Sequence, residues 1–348
     1  MKILYLYTEV MGYTMSTVHE LVERDCDVHI IHWVRNRKVP FKFNDEKNVT
    51  FYDRSEYTFS MMLDLARRIE PKLIVISGWV DKGYLGVAAL LKNKGVPVVV
   101  GFDDQWKGTL RQKFASIFRL SLKLFFSYAW VSGAYQFEYA KRFGFSNNEI
   151  IYDLYSADLA KFTRSCETEI QKSVSYPKTF LFVGRFEHVK AIDLLLEAWS
   201  MLSGKTKDWK LHLVGTGSLK NKLVIDDTVI VSDFMQPEAL VKEIQKSGCF
   251  VLPSRHEPWG VVIHEFAAAG LPIICSDTVG AASSFVISGF NGFMFLNENS
   301  ASLASQMQKI ICSSDKNLRD MSENSHAIGH RITPATSASN LLSVLEQK

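Results

Sequence analysis

The 348-residue sequence predicts an α/β protein made of two successive doubly wound parallel sheets, and three observations carry that expectation. Short apolar runs alternate with helix-like stretches along the chain, the pattern of parallel βαβ units. The alternation lapses at a polar stretch near the middle and then restarts. The length, finally, suits two domains of ordinary size better than one.

In chain order, residues 3–7 read as a strand, 16–24 as a helix and 28–33 as the next strand; 73–77, 83–94 and 96–101 repeat the strand, helix, strand sequence. The strands are nearly continuous in apolar residues, as expected where helices cover both faces of a sheet. Residues 163–175 are polar and without periodicity, and read as a linker. Beyond them come strands at 179–183, 211–214, 229–231, 249–252 and 273–275, with helices at 192–202 and 261–269. A last helix is expected to begin near Pro334. The domain division that follows is 1–165, joined by the terminal helix at about 330–348, and 166–329. In doubly wound sheets ligands sit at the carboxyl ends of strands, so two such sheets opposed to each other would enclose a substrate cleft.

Composition narrows the class. With 47% hydrophobic and 22% charged residues the chain is of the soluble globular type. A net charge of +3 makes no demand for a nucleic-acid partner. The five cysteines are odd in number, far apart and never in CxxC spacing, which reads as free thiols in a reducing, cytoplasmic compartment. Glu9 interrupts the first apolar run, so that run reads as a strand and not a signal peptide. No apolar run reaches membrane-spanning length.

The chemistry is concentrated after strand 249–252. That strand runs into Pro253-Ser-Arg-His-Glu-Pro-Trp-Gly260 and then into an apolar helix that Gly270 and Pro272 close. A helix start at Gly260, Val261 and Val262 offers backbone amides and a positive dipole end to an anionic or hydroxyl-rich ligand. Glu257 and Glu265 lie about two turns apart, and two carboxylates so placed suit bidentate hydrogen bonding to the vicinal hydroxyls of a sugar and a ribose. Spacing alone fits equally a capping acid followed by a solvated surface glutamate.

The residues around the pair resemble the retaining glycosyltransferases of family four, whose E-x7-E motif sits in a context like Pro253 to Ile274. The likeness extends forward through Ser276-Asp-Thr-Val-Gly280 and Ser288-Gly-Phe-Asn-Gly292, and backward through Phe182-Val-Gly-Arg-Phe-Glu-His-Val-Lys190 and Val214-Gly-Thr-Gly217. The resemblance implies a GT-B fold: two facing Rossmann-like domains with parallel sheets and a C-terminal helix returning to the first. It also implies roles. Glu257 would contact the donor sugar, Glu265 the nucleotide ribose, and the amides at Gly260, Val261 and Val262 the sugar and phosphate. Arg185 and Lys190 would neutralise the donor diphosphate, as a guanidinium fork and an ammonium at a strand end are suited to do. No metal and no cofactor beyond the nucleotide-diphosphate sugar is implied. Gly215, with Gly217, would wall the nucleotide pocket. Ala191 stands where the family usually has glycine, a change that touches only the local turn.

The first half departs further from the family. Gly12 is its one candidate for close backbone approach to the donor, and is equally a plain turn glycine. Asp103 takes the place of a histidine near the reacting sugar; with Asp104 it would bind or deprotonate an acceptor hydroxyl or hold the donor sugar, or else form a helix N-cap. The implied activity is retaining transfer of a hexosyl-type sugar to a glycan or lipid-linked acceptor, as in cell-surface polysaccharide or lipopolysaccharide synthesis. A nucleotide-sugar epimerase of the same fold and a non-catalytic nucleotide-sugar-binding partner remain open alternatives. A nicotinamide dehydrogenase is disfavoured because no G-x-G-x-x-G follows the first strand.

Residues 107–126 carry Lys107, Arg111, Lys113, Arg119 and Lys123 and no acid. On one continuous helix, four of these cations share a face and Leu110, Phe114, Ile117 and Phe125 lie mostly opposite. Such a helix either rests on the anionic inner face of a membrane or is a core helix with a solvated basic face.

Overall fold

The computed structural model describes residues 1–33, 46–117, 119–163, 175–206 and 208–346. The chain divides into two compact units, Met1–Ser156 with Ile332–Lys348, and Ala157–Arg331.

The first unit is built on seven strands: β1 (Lys2–Tyr7), β2 (Asp27–His32), β3 (Val49–Asp53), β4 (Leu73–Ile76), β5 (Val98–Phe102), β6 (Tyr128–Val131) and β7 (Ile150–Ile151). Their order is β3-β2-β1-β4-β5-β6-β7, every pairing parallel. Because successive side chains point to opposite faces, β1 feeds two cores. Leu4 and Leu6 pack with Met62, Leu65, Tyr84 and Val87, from helices Phe59–Ile69 and Lys82–Lys92. Ile3 and Tyr5 pack on the other side with Met15, Val18, Ala338 and Leu341.

Those last two residues belong to the terminal helix Pro334–Ser343, with Pro334 in its first turn and Thr333 capping it through the Thr336 amide at 3.0 Å. Arg24 ties it to helix Gly12–Glu23, donating to Ser339 Oγ at 2.8 Å and to the Ala335 carbonyl at 2.9 Å. The C-terminal helix therefore completes the first unit, as the sequence led one to expect.

The second unit has six strands: β8 (Thr179–Val183), β9 (Lys210–Val214), β10 (Val229–Ser232), β11 (Cys249–Leu252), β12 (Ile273–Ser276) and β13 (Gly292–Phe295). They run parallel in the order β10-β9-β8-β11-β12-β13. From β8 the chain builds first to one side and then, through β11, to the other. The carboxyl ends of β8 and β11 thus border the crevice at which open α/β sheets bind ligands.

One expectation needs adjusting. The chain joins the second unit at Ala157 and leaves it at Arg331, where the sequence suggested 165/166 and 329/330. The cause is local: the short helix Leu159–Phe162 packs on helices Val261–Ala268 and Pro237–Gln245, and His264 holds both crossing points. Its Nδ1 accepts the Ala157 amide at 3.0 Å and its Nε2 donates to the Gly329 carbonyl at 2.8 Å. The expected linker 163–175 lies, apart from its ends, outside the described residues. Within residues 107–126 the described helical segments are Leu110–Ile117 and Arg119–Phe125, on either side of position 118, which lies outside the described residues. Lys123 pairs with Glu149, its ammonium 4.9 Å from the Phe145 ring centre.

Candidate functional site

The sequence-predicted donor residues of the second unit gather at the carboxyl ends of β8 and β11. Arg185 and Lys190 lie on the loop after β8, the first exposed and the second half-buried. Glu257 lies on the loop after β11. An isolated parallel bridge to Val279 holds its backbone extended, and its carbonyl accepts the Gly280 amide at 3.1 Å. Lys190 Nζ donates to Glu257 Oε2, and the two side chains are only 17% and 15% exposed. Ser254 Oγ donates to the same carboxylate oxygen at 3.1 Å. With solvent largely removed, such an ion pair is felt far more strongly than at the surface.

The loops are fixed to each other by a residue to which the sequence reading gave no role. Arg255 grips Asp193 with a two-pronged guanidinium, both contacts at 2.8 Å, and donates to the His188 carbonyl at 2.7 Å. This interaction holds the Asp193 carboxyl below its ordinary range. The Arg255 amide adds a bond to the Val189 carbonyl at 2.9 Å. The segment just before Lys190 is thereby clamped to the segment just before Glu257. Ser254 and Arg255 both sit inside the Pro253-Ser-Arg-His-Glu run, but nothing in their spacing distinguishes a ligand residue from a clamp.

Gly260 caps helix Val261–Ala268 at φ 89°, a left-handed conformation that glycine adopts without steric cost. A Cβ there would also meet Glu257 Cγ at 2.8 Å. Glycine at this position therefore lets the helix start lie directly against the acid, with Val261 and Val262 contributing the first helical amides.

Glu265, two turns on, is half-buried. Desolvation, reinforced by the Asp158 carboxylate, pushes its pKa up to about 7. Neighbouring charges of opposite sign separate the two glutamates chemically. Glu257 is compensated by Lys190, whereas Glu265 has an acidic neighbour.

Gly215 has a reason of its own to be glycine. At φ 147° its Cβ would lie 1.9 Å from the Gly184 carbonyl oxygen, because the loops after β8 and β9 run together. The Gly184 amide donates to Val214, Phe186 to Thr216 and Leu219 to Phe186, at 2.9 to 3.1 Å. Glu187 takes the Ser218 amide and hydroxyl at 3.0 and 2.7 Å. Ala191 is the unexpected case: it sits fully buried at φ 54°, ψ 38°. The turn demands the left-handed region that glycine would fill without strain, so the departure from the family pattern costs conformational energy instead of favouring the helix.

Gly12 and Asp103 belong to the first unit. Gly12 opens helix Gly12–Glu23 after β1, and a Cβ on it would meet nothing within 4 Å. The neighbouring carboxyl ends of β1 and β4 are joined by Thr8 and Ser77, the Thr8 amide donating to Ser77 Oγ at 3.1 Å. Asp103 follows β5, and Tyr155 donates its hydroxyl to Asp103 Oδ2 at 3.2 Å. Desolvation, opposed by that hydrogen bond and assisted by Asp104, leaves the Asp103 carboxyl above its ordinary range. Asp103 does not cap a helix: the next one begins at Leu110. Among the described residues no group of three or more His, Cys, Asp and Glu side chains is placed to hold a metal ion.

Among comparisons with known proteins, the family match falls on the second unit. Residues 166–327 match the family of glycosyl transferases group 1. That span holds every candidate donor residue named above except Gly12. The lipopolysaccharide 1,6-galactosyltransferase of Escherichia coli strain K12 is 31% identical over 144 residues, 38% of this chain and 39% of that protein. The matches span 36% to 62% of the length of the first three curated relatives. Among solved structures, sucrose-phosphate synthase from Thermosynechococcus elongatus superposes with a TM-score of 0.77 at 16% identity, covering 99% of this chain and 98% of that one. The Anabaena protein HepE, solved in complex with UDP-glucose, gives 0.71 at 18% identity, covering the whole of both chains. At such identities the likeness is one of fold, and the fold is GT-B.

Proposed function

We propose that this protein is a retaining glycosyltransferase that moves a sugar from a nucleotide-diphosphate sugar to a glycan or lipid-linked acceptor. The observation that carries the reading is the Lys190–Glu257 pair, seated with Ser254 at the switch point of the second sheet beside the helix start at Gly260. A diphosphate entering there would meet the Lys190 ammonium, the Arg185 guanidinium and the first amides of the helix, a set suited to the charge that grows on a leaving phosphate. Glu257 would then accept hydrogen bonds from the sugar hydroxyls and Glu265 from the ribose.

In the reaction so proposed, the acceptor oxygen forms its bond to the anomeric carbon on the face from which the diphosphate departs. The bond from that carbon to the phosphate oxygen breaks, and the acceptor proton passes to the leaving phosphate. Asp103 is the proposed acceptor-side residue. No divalent ion is assigned a part, so chelation should leave turnover unchanged. The fold it shares with a protein solved with UDP-glucose supports a uridine donor, and similarity to the E. coli galactosyltransferase supports an acceptor in surface-polysaccharide or lipopolysaccharide assembly.

The test is a thermal-shift titration with UDP and UDP-glucose, followed by turnover of Glu257→Gln, Lys190→Ala and Arg185→Ala. A ligand at 100 times its Kd stabilises the native state by about 2.7 kcal/mol, a rise of roughly 5–10 °C for a unit of this size. Each variant should stay folded and lose nearly all turnover. Wild-type turnover in any of them would remove that residue from the mechanism. The absence of any shift with all nucleotide sugars tried would overturn the donor site.

A further inference from the structure

Strand β5 ends as an apolar run, Val98 to Phe102, and two acids follow it directly. The two are held differently. Asp104 Oδ1 accepts the next amide, that of Gln105, at 2.9 Å. The Asp103 carbonyl accepts Gln136 Nε2 at 3.1 Å, which fixes its backbone to helix Ala134–Arg142, while its side chain takes the Tyr155 hydroxyl on Oδ2. Tyr155 lies 52 residues further on, in the segment after β7. That segment is itself pinned on both sides of the tyrosine. The Leu154 amide donates to the Val131 carbonyl at 3.1 Å, and Ser16 Oγ donates to the Ser156 carbonyl at 3.4 Å. The Tyr155 ring stands edge-on to Tyr13, their centres 4.8 Å apart. Loops from the carboxyl ends of β1, β5 and β7 therefore meet at one phenol.

We infer that Tyr155 is the positioning residue of the acceptor side: its hydroxyl holds Oδ2 of Asp103 and leaves Oδ1 to accept the hydrogen bond of the attacking acceptor hydroxyl. This role rests on the transfer reaction proposed above and adds the group that prepares Asp103 for it. Asp103 keeps solvent-facing surface, so an acceptor can reach it. The titratable groups facing Asp103 are Tyr155, Asp104 and Tyr7, and none of them can bring a positive charge. Desolvation and Asp104 both favour the neutral acid, and the Tyr155 hydroxyl is the chief interaction that favours the carboxylate. Tyr155 can only donate, because burial and the Asp103 charge push its phenol far above the ordinary range and it keeps its proton. An ionised carboxylate accepts a stronger hydrogen bond than the neutral acid does. Without the phenol, Asp103 would take up a proton at higher pH, and its carboxyl would lose the contact that sets its orientation.

The experiment compares the full chain with Tyr155→Phe, which keeps the ring against Tyr13 and removes only the hydroxyl. Two quantities are read: the titration of the Asp103 side-chain carboxyl by carbon NMR, assigned with Asp103→Asn, and the pH profile of kcat/KM. In the variant the carboxyl titration should move up by about one pH unit, the loss expected of one hydrogen bond to a charged group. The acid limb of the profile should move with it. Below both midpoints kcat/KM should therefore fall about tenfold, with the KM for the donor unchanged. In the Asp103→Asn chain, adding Tyr155→Phe should have no further effect, because the carboxylate it serves is gone. An Asp103 titration that Tyr155→Phe leaves in place would overturn the inference. So would a loss of turnover that persists in full in the Asp103→Asn chain, since the tyrosine would then act by another route. The carboxyl titration needs neither donor nor acceptor. Absence of any thermal shift with nucleotide sugars in the parent would count against the donor site, and the titration would still decide the part played by Tyr155.

Discussion

If Glu265 holds the donor ribose as proposed, it sets stability against function, and pH separates the two. Its carboxyl titrates at about 7 in the folded chain against an ordinary value of 4.5. A carboxyl whose folded pKa is raised binds its proton more tightly in the native state. The penalty for ionising it is therefore absent below pH 4.5, grows as pH rises from 4.5 to 7, and is complete above 7. The full shift corresponds to about 3 kcal/mol; solvent reaching the half-buried side chain reduces this to about 2 kcal/mol.

Glu265→Gln keeps the shape and removes the charge. It should melt higher than the parent at pH 8, by roughly 4–8 °C for a unit of this size, and the difference should close as the pH approaches 5. Binding should respond in the opposite sense. If the carboxylate accepts ribose hydroxyls, the affinity of the parent for UDP should fall about fivefold from pH 7 to pH 6, as the ionised fraction drops from about a half to about a tenth, and the glutamine variant should bind weakly throughout. The assays are thermal unfolding and isothermal titration calorimetry across this range. A glutamine variant no more stable than the parent at pH 8, or a stability difference that does not change with pH, would refute the reasoning.

Other perturbations follow from single contacts. Ala191→Gly should raise stability by about 1 kcal/mol, the left-handed strain relieved less the added freedom of the unfolded chain, read as a shift in urea midpoint; a loss would mean that the turn carries no strain. Gly215→Ala should cost 3 kcal/mol or more, because the new Cβ falls 1.9 Å from the Gly184 carbonyl, and Gly12→Ala, with open space around it, should cost nothing measurable in the same urea assay. Lys190→Ala and Glu257→Gln should each destabilise by about 1–3 kcal/mol, and together by less than the sum, since each leaves the other half-buried without its partner; additive losses in a double-mutant cycle would show that the pair is not coupled.

Much of this was legible in the sequence. Strands β8 and β11 fall on the runs 179–183 and 249–252 that the sequence indicated, because fully buried parallel strands are unbroken apolar runs between turn residues. Strand β3 was not foreseen. Its burial is mostly partial, so Val49–Asp53 carries too weak a pattern to stand out. Helix Leu110–Ile117 illustrates the opposite limit: its amphipathic period is plain in the sequence, but the period cannot say which face turns inward. Likewise nothing local marks Arg255 as a clamp or His264 as the anchor of Ala157 and Gly329, since their partners lie far away along the chain.

What the sequence determined by itself was the order of elements and the residues to propose for the donor, because hydrophobic periodicity and the Pro253 to Glu265 run are properties of neighbours in the chain. What only the tertiary structure decided was which of those residues meet. The pairing of Lys190 with Glu257, the acidic environment of Glu265 and the left-handed turn at Ala191 all depend on distance in space. Burial and electrostatic coupling act through space, and the adjacency of β8 and β11, strands separated by two others in the chain, is what brings these groups together.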